Sequence, residues 1–272
     1  MPGQSRIQAP VVENRLYGTC PIAVHAPGKL EESPWWETVK TRVFANRPTI
    51  RRPESLAILT WNSGAVNPTL GVRGHTLGWF ERSLDQVGLS YTVLGTGIGS
   101  AWTNRLKLDL TLDFLEQTRA EHVLAADSSD ALLVGDPGLA VSELQRRGAE
   151  VIFNAEKNCW PAKLTEIRSF ERRVAGAPFR YLNSGLFIGT RIGLLRAFES
   201  ARKWGRGLEG WPGSDQVCWK HAYRELHPAV RIDDQCRIFQ TLNGVRREIA
   251  VAGRGWSMFG WPPRRTTRPT ER

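Results

Sequence analysis

Apolar and polar positions fall into a regular rhythm from residue 56 onward. LAILTW (56–61) is an almost unbroken apolar run and reads as a buried strand. TLGWFERSLDQVG (76–88) places Leu77, Phe80, Leu84 and Val87 at helical spacing, which predicts an amphipathic helix. SYTVLG (90–95) predicts a second strand. NRLKLDLTLDFLEQTR (104–119) predicts a second helix, with Leu108, Leu112 and Leu115 in register. EHVLAAD (121–127), GLAVSELQRRG (138–148) and EVIFNAE (150–156) continue as strand, helix and strand. This alternation predicts an α/β fold: a mostly parallel, doubly wound central sheet flanked by helices. Such sheets bind ligands beyond the carboxyl ends of their strands.

After residue 157 the rhythm loosens. FRYLNSGLFIGT (179–190) reads as a strand interrupted by Asn183, Ser184 and Gly185. Helices are expected at 191–204 and 214–225, and short strands at 230–233 and 236–240. The main domain is expected over 55–252. Ahead of it, residues 1–14 carry no pattern and are expected to be disordered. Residues 15–36 hold the apolar run Ile22-Ala23-Val24, which leads into a turn, HAPGK (25–29). Residues 37–54 are basic, carry two prolines and read as a linker, and 253–272 read as a basic tail.

Composition narrows the class. The chain has 272 residues, 41% apolar and 24% charged, enough for a sizeable core. No apolar run approaches the ~20 residues that span a bilayer, and MPGQSRIQAP lacks the apolar centre of a secretory signal. A soluble, cytoplasmic protein is expected. The four cysteines form no Cys-x-x-Cys pair, which argues against structural zinc and for free thiols in a reducing compartment. The net charge of +10 suggests an anionic partner, but much of the excess sits in 38–54 and 254–272, so nucleic acid is not the expected main partner. Of the 37 basic residues only 7 are lysines, a bias that follows high genomic GC content and suggests a bacterial source.

The strongest candidate chemistry lies in HVLAADSSDALLVGDP. Asp127 and Asp130 bracket a two-serine turn at the end of an apolar strand, where paired carboxylates suit Mg²⁺ or Mn²⁺. An ordinary Asp/Ser turn is the alternative. Glu156 and Asn158 follow the next strand and point to the same edge, with Trp160 able to stack on a sugar or base. Gly185 inside a strand marks a bulge or a close approach. Ser214 is placed to cap a helix whose first turn holds Asp215 and Gln216. His221 and His227 have no partner at metal-ligand spacing. GTGIGS (95–100) lacks the helix placement and acidic residue of a dinucleotide site, and no nucleophile elbow is present.

In order and spacing, HVLAADSSDALLVGDP, VIFNAEKNCWP, RYLNSGLFIGT, SDQVCWKHAYREL and IDDQCRIFQTLNG resemble the glycosyltransferase domain of the procollagen lysyl hydroxylase/glycosyltransferase family. The resemblance covers roughly 56–250. It implies a GT-A fold, Mn²⁺ and a UDP-sugar donor. By position, Asp127 and Asp130 would hold the metal and through it the donor diphosphate. Thr60 and Trp102 would border the uridine, and Lys107 would lie near the donor. Glu156, Trp160, Asp215 and Gln216 would line the sugar and acceptor side, with Asn183 in the cleft floor. Asp215 and Glu156 are the candidate bases for an inverting transfer; inversion and retention both stay open.

Two departures stand out. The family's aromatic residue before the second aspartate is Ser129 here, which removes a stacking surface. The family's third metal ligand, a histidine after the last strand, is missing there. RLYGTCPIAVHAPGK near the N-terminus is similar to that ending, which implies a circular permutation: His25 would complete the metal site, and Gly28 and Lys29 would contact the diphosphate. The rival expectations are a non-catalytic polyanion-binding module on the same fold and a nucleotidyltransferase. The acceptor, whether small molecule, peptide or cell-surface glycan, is not indicated.

Overall fold

The computed structural model describes residues 11–28, 34–46, 50, 55–64, 77–176, 178–206, 213–245 and 248–251. Lys29, the proposed tail and residues 1–10 lie outside the described residues.

Six strands form the central sheet, in the order β4 (Thr92–Leu94), β3 (Leu56–Trp61), β5 (His122–Asp127), β8 (Tyr181–Thr190), β7 (Val151–Glu156) and β9 (Val230–Ile232). β3 runs parallel to β4 and β5, and β7 runs parallel to β9, while β8 is antiparallel to both β5 and β7. The sheet is therefore mostly parallel with one reversed strand, a GT-A-like arrangement.

The unbroken apolar runs follow from burial on both faces. In β5, Val123 and Ala125 join one core, and Leu124 and Ala126 the other. The first core includes the apolar stripes of α3 (Leu106–Gln117), α6 (Arg191–Gly205) and α7 (Asp215–Leu226), the second those of α2 (Trp79–Val87) and α4 (Pro137–Arg146). Trp219 anchors the first core, with ring centroids 4.7 Å from Phe153 and 4.5 Å from Phe198. An unexpected helix, α5 (Thr165–Val174), packs on α7 through Phe170 and Tyr223. Its Glu171 meets Lys220 of α7 at 2.7 Å, both side chains wholly buried.

The N-terminal segment departs from expectation. Residues 12–14 are not disordered: β1 (Val12–Asn14) pairs antiparallel with β11 (Ile249–Val251), Val12 opposite Val251. Val12 is buried in the first core, and the buried Asn14 amide donates to Gln240 at 2.6 Å. The stretch read as a linker also needs correction. Helix α1 (Pro34–Ala45) occupies its first part, because Trp36, Val39 and Val43 form a buried stripe beneath the basic residues. Between these elements, β2 (Ala23–His25) is wedged into a second sheet, parallel to β10 (Phe239–Thr241) and antiparallel to β6 (Ala131–Leu133).

All four cysteines are free thiols. Among the described residues no helix is long and apolar enough to cross a membrane.

Candidate active site

β3, β5 and β7 end on the same side of the sheet, and a cleft of about 640 Å³ opens beside the carboxyl ends of β5 and β7. β5 delivers Asp127 as its last residue, and the two-serine turn carries Asp130 to the start of β6. β2 arrives from the other side. Its residues Ala23 and Val24 are wholly buried, and pairing with β6 puts His25 opposite Ala131. The Ala26 N–H then donates to the Asp130 carbonyl at 2.7 Å, and the Leu242 N–H to the His25 carbonyl at 2.7 Å.

This register brings three side chains together. His25 Nε2 lies 3.2 Å from Asp130 Oδ2 and 3.8 Å from Asp127 Oδ2. One ligand atom from each of His25, Asp127 and Asp130 lies within 4.8 Å of the others. Among the described residues, neither His25 Nε2, beyond its ion-pair contacts with the two aspartates, nor Asp130 Oδ1 has a hydrogen-bond partner, although both atoms are buried. Buried polar atoms of this kind require partners. The donor set, one imidazole nitrogen and hard carboxylate oxygens, fits a divalent cation such as Mn²⁺ or Mg²⁺. On its far edge, His25 Nδ1 faces the Asn154 amide at 3.4 Å, which orients the ring.

The strand interruption at Asn183-Ser184-Gly185 has a specific cause. β8 is continuous but slips its register against β7 between Phe153 and Asn154, leaving a bulge at Ser184, Gly185 and Leu186. A Cβ on Gly185 would sit 2.3 Å from Cε1 of His25. The close approach expected there is thus made by the histidine ring, which rests on the bare backbone. Asn183 Oδ1 accepts the Gly185 N–H at 3.0 Å and shapes the bulge.

The opposite wall carries the other carboxylates. Glu156 ends β7, and its Oε1 accepts from Gln216 Nε2 at 3.1 Å. The same Gln216 amide donates to the Trp160 carbonyl at 3.0 Å, and its Oε1 accepts the Ser184 N–H at 3.3 Å. Trp160 itself is half exposed at the rim. Asp215 is the first residue of α7, after Ser214 caps the helix by accepting the Val217 N–H, and its buried Oδ2 has no hydrogen-bond partner. Lys107 reaches in from α3 to Asp127 Oδ1 at 2.5 Å.

Burial governs the charges. It pushes Glu156 up to about 7, against the opposing pull of Lys220 and Gln216. It also raises Asp127 and Asp215, with Lys107 the main opposing group for each. Burial alone lowers the His25 imidazole, but Asp130, Asp127 and Glu156 together outweigh it and raise the pKa.

Most predicted residues converge here. His25, Gly28, Lys107, Asp127, Asp130, Glu156, Trp160, Asn183, Asp215 and Gln216 all line the cleft. Thr60 and Trp102 do not. The Thr60 hydroxyl is buried and donates to the Ala126 carbonyl at 2.7 Å, and Trp102 packs over Gly95, where a Cβ would meet its ring at 2.6 Å. Asn154 is a contributor that sequence reasoning missed, as are Asn104 and Asn243 in the lining.

The sequence matches the family described as PLOD GT domain over residues 72–257. The chain belongs to the PLOD glycosyltransferase-domain family. It is 30% identical over 136 residues to the human multifunctional procollagen lysine hydroxylase and glycosyltransferase LH3, covering 47% of this chain and 17% of that protein. Against bovine procollagen-lysine,2-oxoglutarate 5-dioxygenase 1 the identity is 26% over 182 residues, 60% of this chain and 23% of the relative. The Drosophila melanogaster procollagen-lysine,2-oxoglutarate 5-dioxygenase is 26% identical over 133 residues, 47% of this chain and 17% of the relative. The chain thus spans less than a quarter of each of these relatives. All three are animal proteins and give no support to a bacterial source. The PLOD match begins after the segment that supplies His25.

The contact between His25 and Gly185 is directly testable. Gly185→Ala should cost about 1–3 kcal/mol in urea unfolding, the usual range for overpacking. In a His25→Ala background the same change should cost much less, because the clashing ring is gone. Equal costs in both backgrounds would show that the ring does not rest on Gly185.

Proposed function

We propose that this PLOD-family domain transfers a glycosyl group from a UDP-sugar to an acceptor hydroxyl, with a divalent cation held by His25, Asp127 and Asp130. The observation that carries the reading is the convergence of those three ligand atoms at the carboxyl end of β5, within a glycosyltransferase family. A bound Mn²⁺ or Mg²⁺ would neutralise the donor diphosphate and make UDP a better leaving group. Lys107 adds a fixed positive charge on the donor side. Gly28 and Lys29 are assigned to the diphosphate by their place in the His-x-x-Gly-Lys turn. Glu156 and Asp215 are the groups available to accept the acceptor proton. Trp160 offers an exposed ring for a sugar face, and Asn183 and Gln216 fix the cleft wall.

A polyanion-binding role fits this cleft poorly. Among its described lining residues, four carboxylates, those of Asp127, Asp130, Glu156 and Asp215, stand against Lys107 and His25.

We further propose that the segment with β1 and β2 is a circularly permuted C-terminal ending. Two observations support this: β1 is in register with β11, and β2 fills the gap between β6 and β10. A chain reordered as 55–251, a short linker, then 11–46 should fold with the same circular dichroism spectrum and retain Mn²⁺ binding. An unfolded product from this rearrangement would count against the permutation.

In thermal-shift assays UDP should stabilise the protein only when Mn²⁺ is present, by about 2.7 kcal/mol at a hundred times its dissociation constant. His25→Ala should remove that metal dependence. A UDP shift that is the same without metal, or no shift with any nucleotide, would sink the reading.

The proton acceptor has its own signature. A base works only when ionised, and burial holds Glu156 at about 7. If Glu156 is the base, the transfer rate should climb as pH rises through about 7 and level off above it. Glu156→Gln should abolish that limb. A limb that survives the substitution would leave Asp215 as the base.

A further inference from the structure

Helix α2 begins beside the metal turn, and its first turn contains a carboxylate that the proposed chemistry does not use. Glu81 is wholly buried. Among the described residues it forms no ion pair, and each donor to it is neutral. Its Oε2 accepts the Gly78 N–H at 3.0 Å, which is an ordinary helix-capping contact. Its Oε1 does something a cap does not need. It accepts both the Ser128 hydroxyl at 2.8 Å and the Asn62 side-chain amide at 3.0 Å.

Those two donors belong to separate strand ends. Ser128 is the residue between Asp127 and the rest of the metal turn, and Asn62 is the first residue beyond β3. The surroundings are built around the same contact. The Phe80 N–H donates to the Ser128 carbonyl at 3.0 Å, so the start of α2 grips both the backbone and the side chain of Ser128. A Cβ on Gly78 would lie 1.9 Å from Ser128 Oγ, so only glycine allows the approach. Beyond the turn, the Leu133 N–H donates to Ser83 Oγ at 2.9 Å, tying β6 to the next turn of α2.

We propose that Glu81 is the positioning residue of the metal turn, clamping Ser128 to Asn62 so that Asp127 and Asp130 are held at cation-binding spacing. This rests on the metal reading above. Groups behind metal ligands act in this way, by fixing ligand orientation before the ion arrives, and their loss weakens affinity about 10–100-fold. Glutamine cannot replace the carboxylate. With its oxygen toward Ser128 and Asn62, its NH₂ would face the Gly78 N–H; reversed, it would face the Asn62 amide.

The test is Mn²⁺ titration of the full chain without nucleotide, following free Mn²⁺ by electron paramagnetic resonance, alongside thermal unfolding of each variant. Glu81→Gln should weaken Mn²⁺ binding about 10-fold or more. Ser128→Ala, which keeps the Asn62 and Gly78 contacts to Glu81, should weaken it by a smaller factor, and the double variant should be no worse than Glu81→Gln. If Glu81→Gln does not fold, the Ser128→Ala titration decides. Wild-type affinity in folded Glu81→Gln or Ser128→Ala, even with a lower melting temperature, overturns the clamp alone. Absence of Mn²⁺ binding by the unaltered chain overturns the metal reading and the clamp with it.

Discussion

One short strand, β2, fixes the geometry of the whole site. Its hydrogen bonds to β6 and β10 leave its register no freedom, because a one-residue slip would turn His25 away from the cleft and force a neighbouring side chain into it. From that register the rest follows. His25 reaches Asp130 and Asp127, its ring demands a glycine at 185, the bulge in β8 supplies one, and Asn183 and Asn154 hold the bulge and the ring. The His25, Asp127 and Asp130 cluster is therefore a property of sheet pairing more than of any local motif.

Charge is distributed in two ways that do not conflict. The chain as a whole is strongly basic, yet the cleft gathers carboxylates. Ionised carboxylates held this close and this far from water are costly, and burial accordingly raises Asp127, Asp215 and Glu156. Lys107 offsets part of that cost at Asp127, and the Lys220 ammonium, itself paired with Glu171, tempers the rise of Glu156. A cluster of carboxylates under such electrostatic tension is what a cation would relieve.

Much of this was legible in the sequence wherever the signal was local. β3, β5, β7 and helices α2 to α4 follow from periodicity, and the Asp127/Asp130 turn from its place at a strand end. Elements that depend on partners far along the chain were not legible. β6 is three residues long and has no pattern of its own. The stripe of α1 was hidden among Lys40, Arg42 and a proline, and α5 among charges that make up half of its ten residues, although Ile167, Phe170 and Val174 did carry helical spacing. The glycine at 185 signalled a close approach, but only the fold could name His25 as the group approaching. Thr60 and Trp102, assigned by resemblance, fall outside the cleft because one hydroxyl is spent on a neighbouring strand and one ring on the β4 loop.

The pairing of Val12 with Val251 also orders events in time. β2 leaves the ribosome before both of its neighbours, β6 and β10. The segment bearing His25 has no complete pairing until β10 is made; contacts of such long sequence separation form late and slowly. Without β10 one edge of β2, and the His25 carbonyl, would lack their partners. His25, the earliest of the three side chains to be made, is thus the last to be fixed in place beside Asp127 and Asp130.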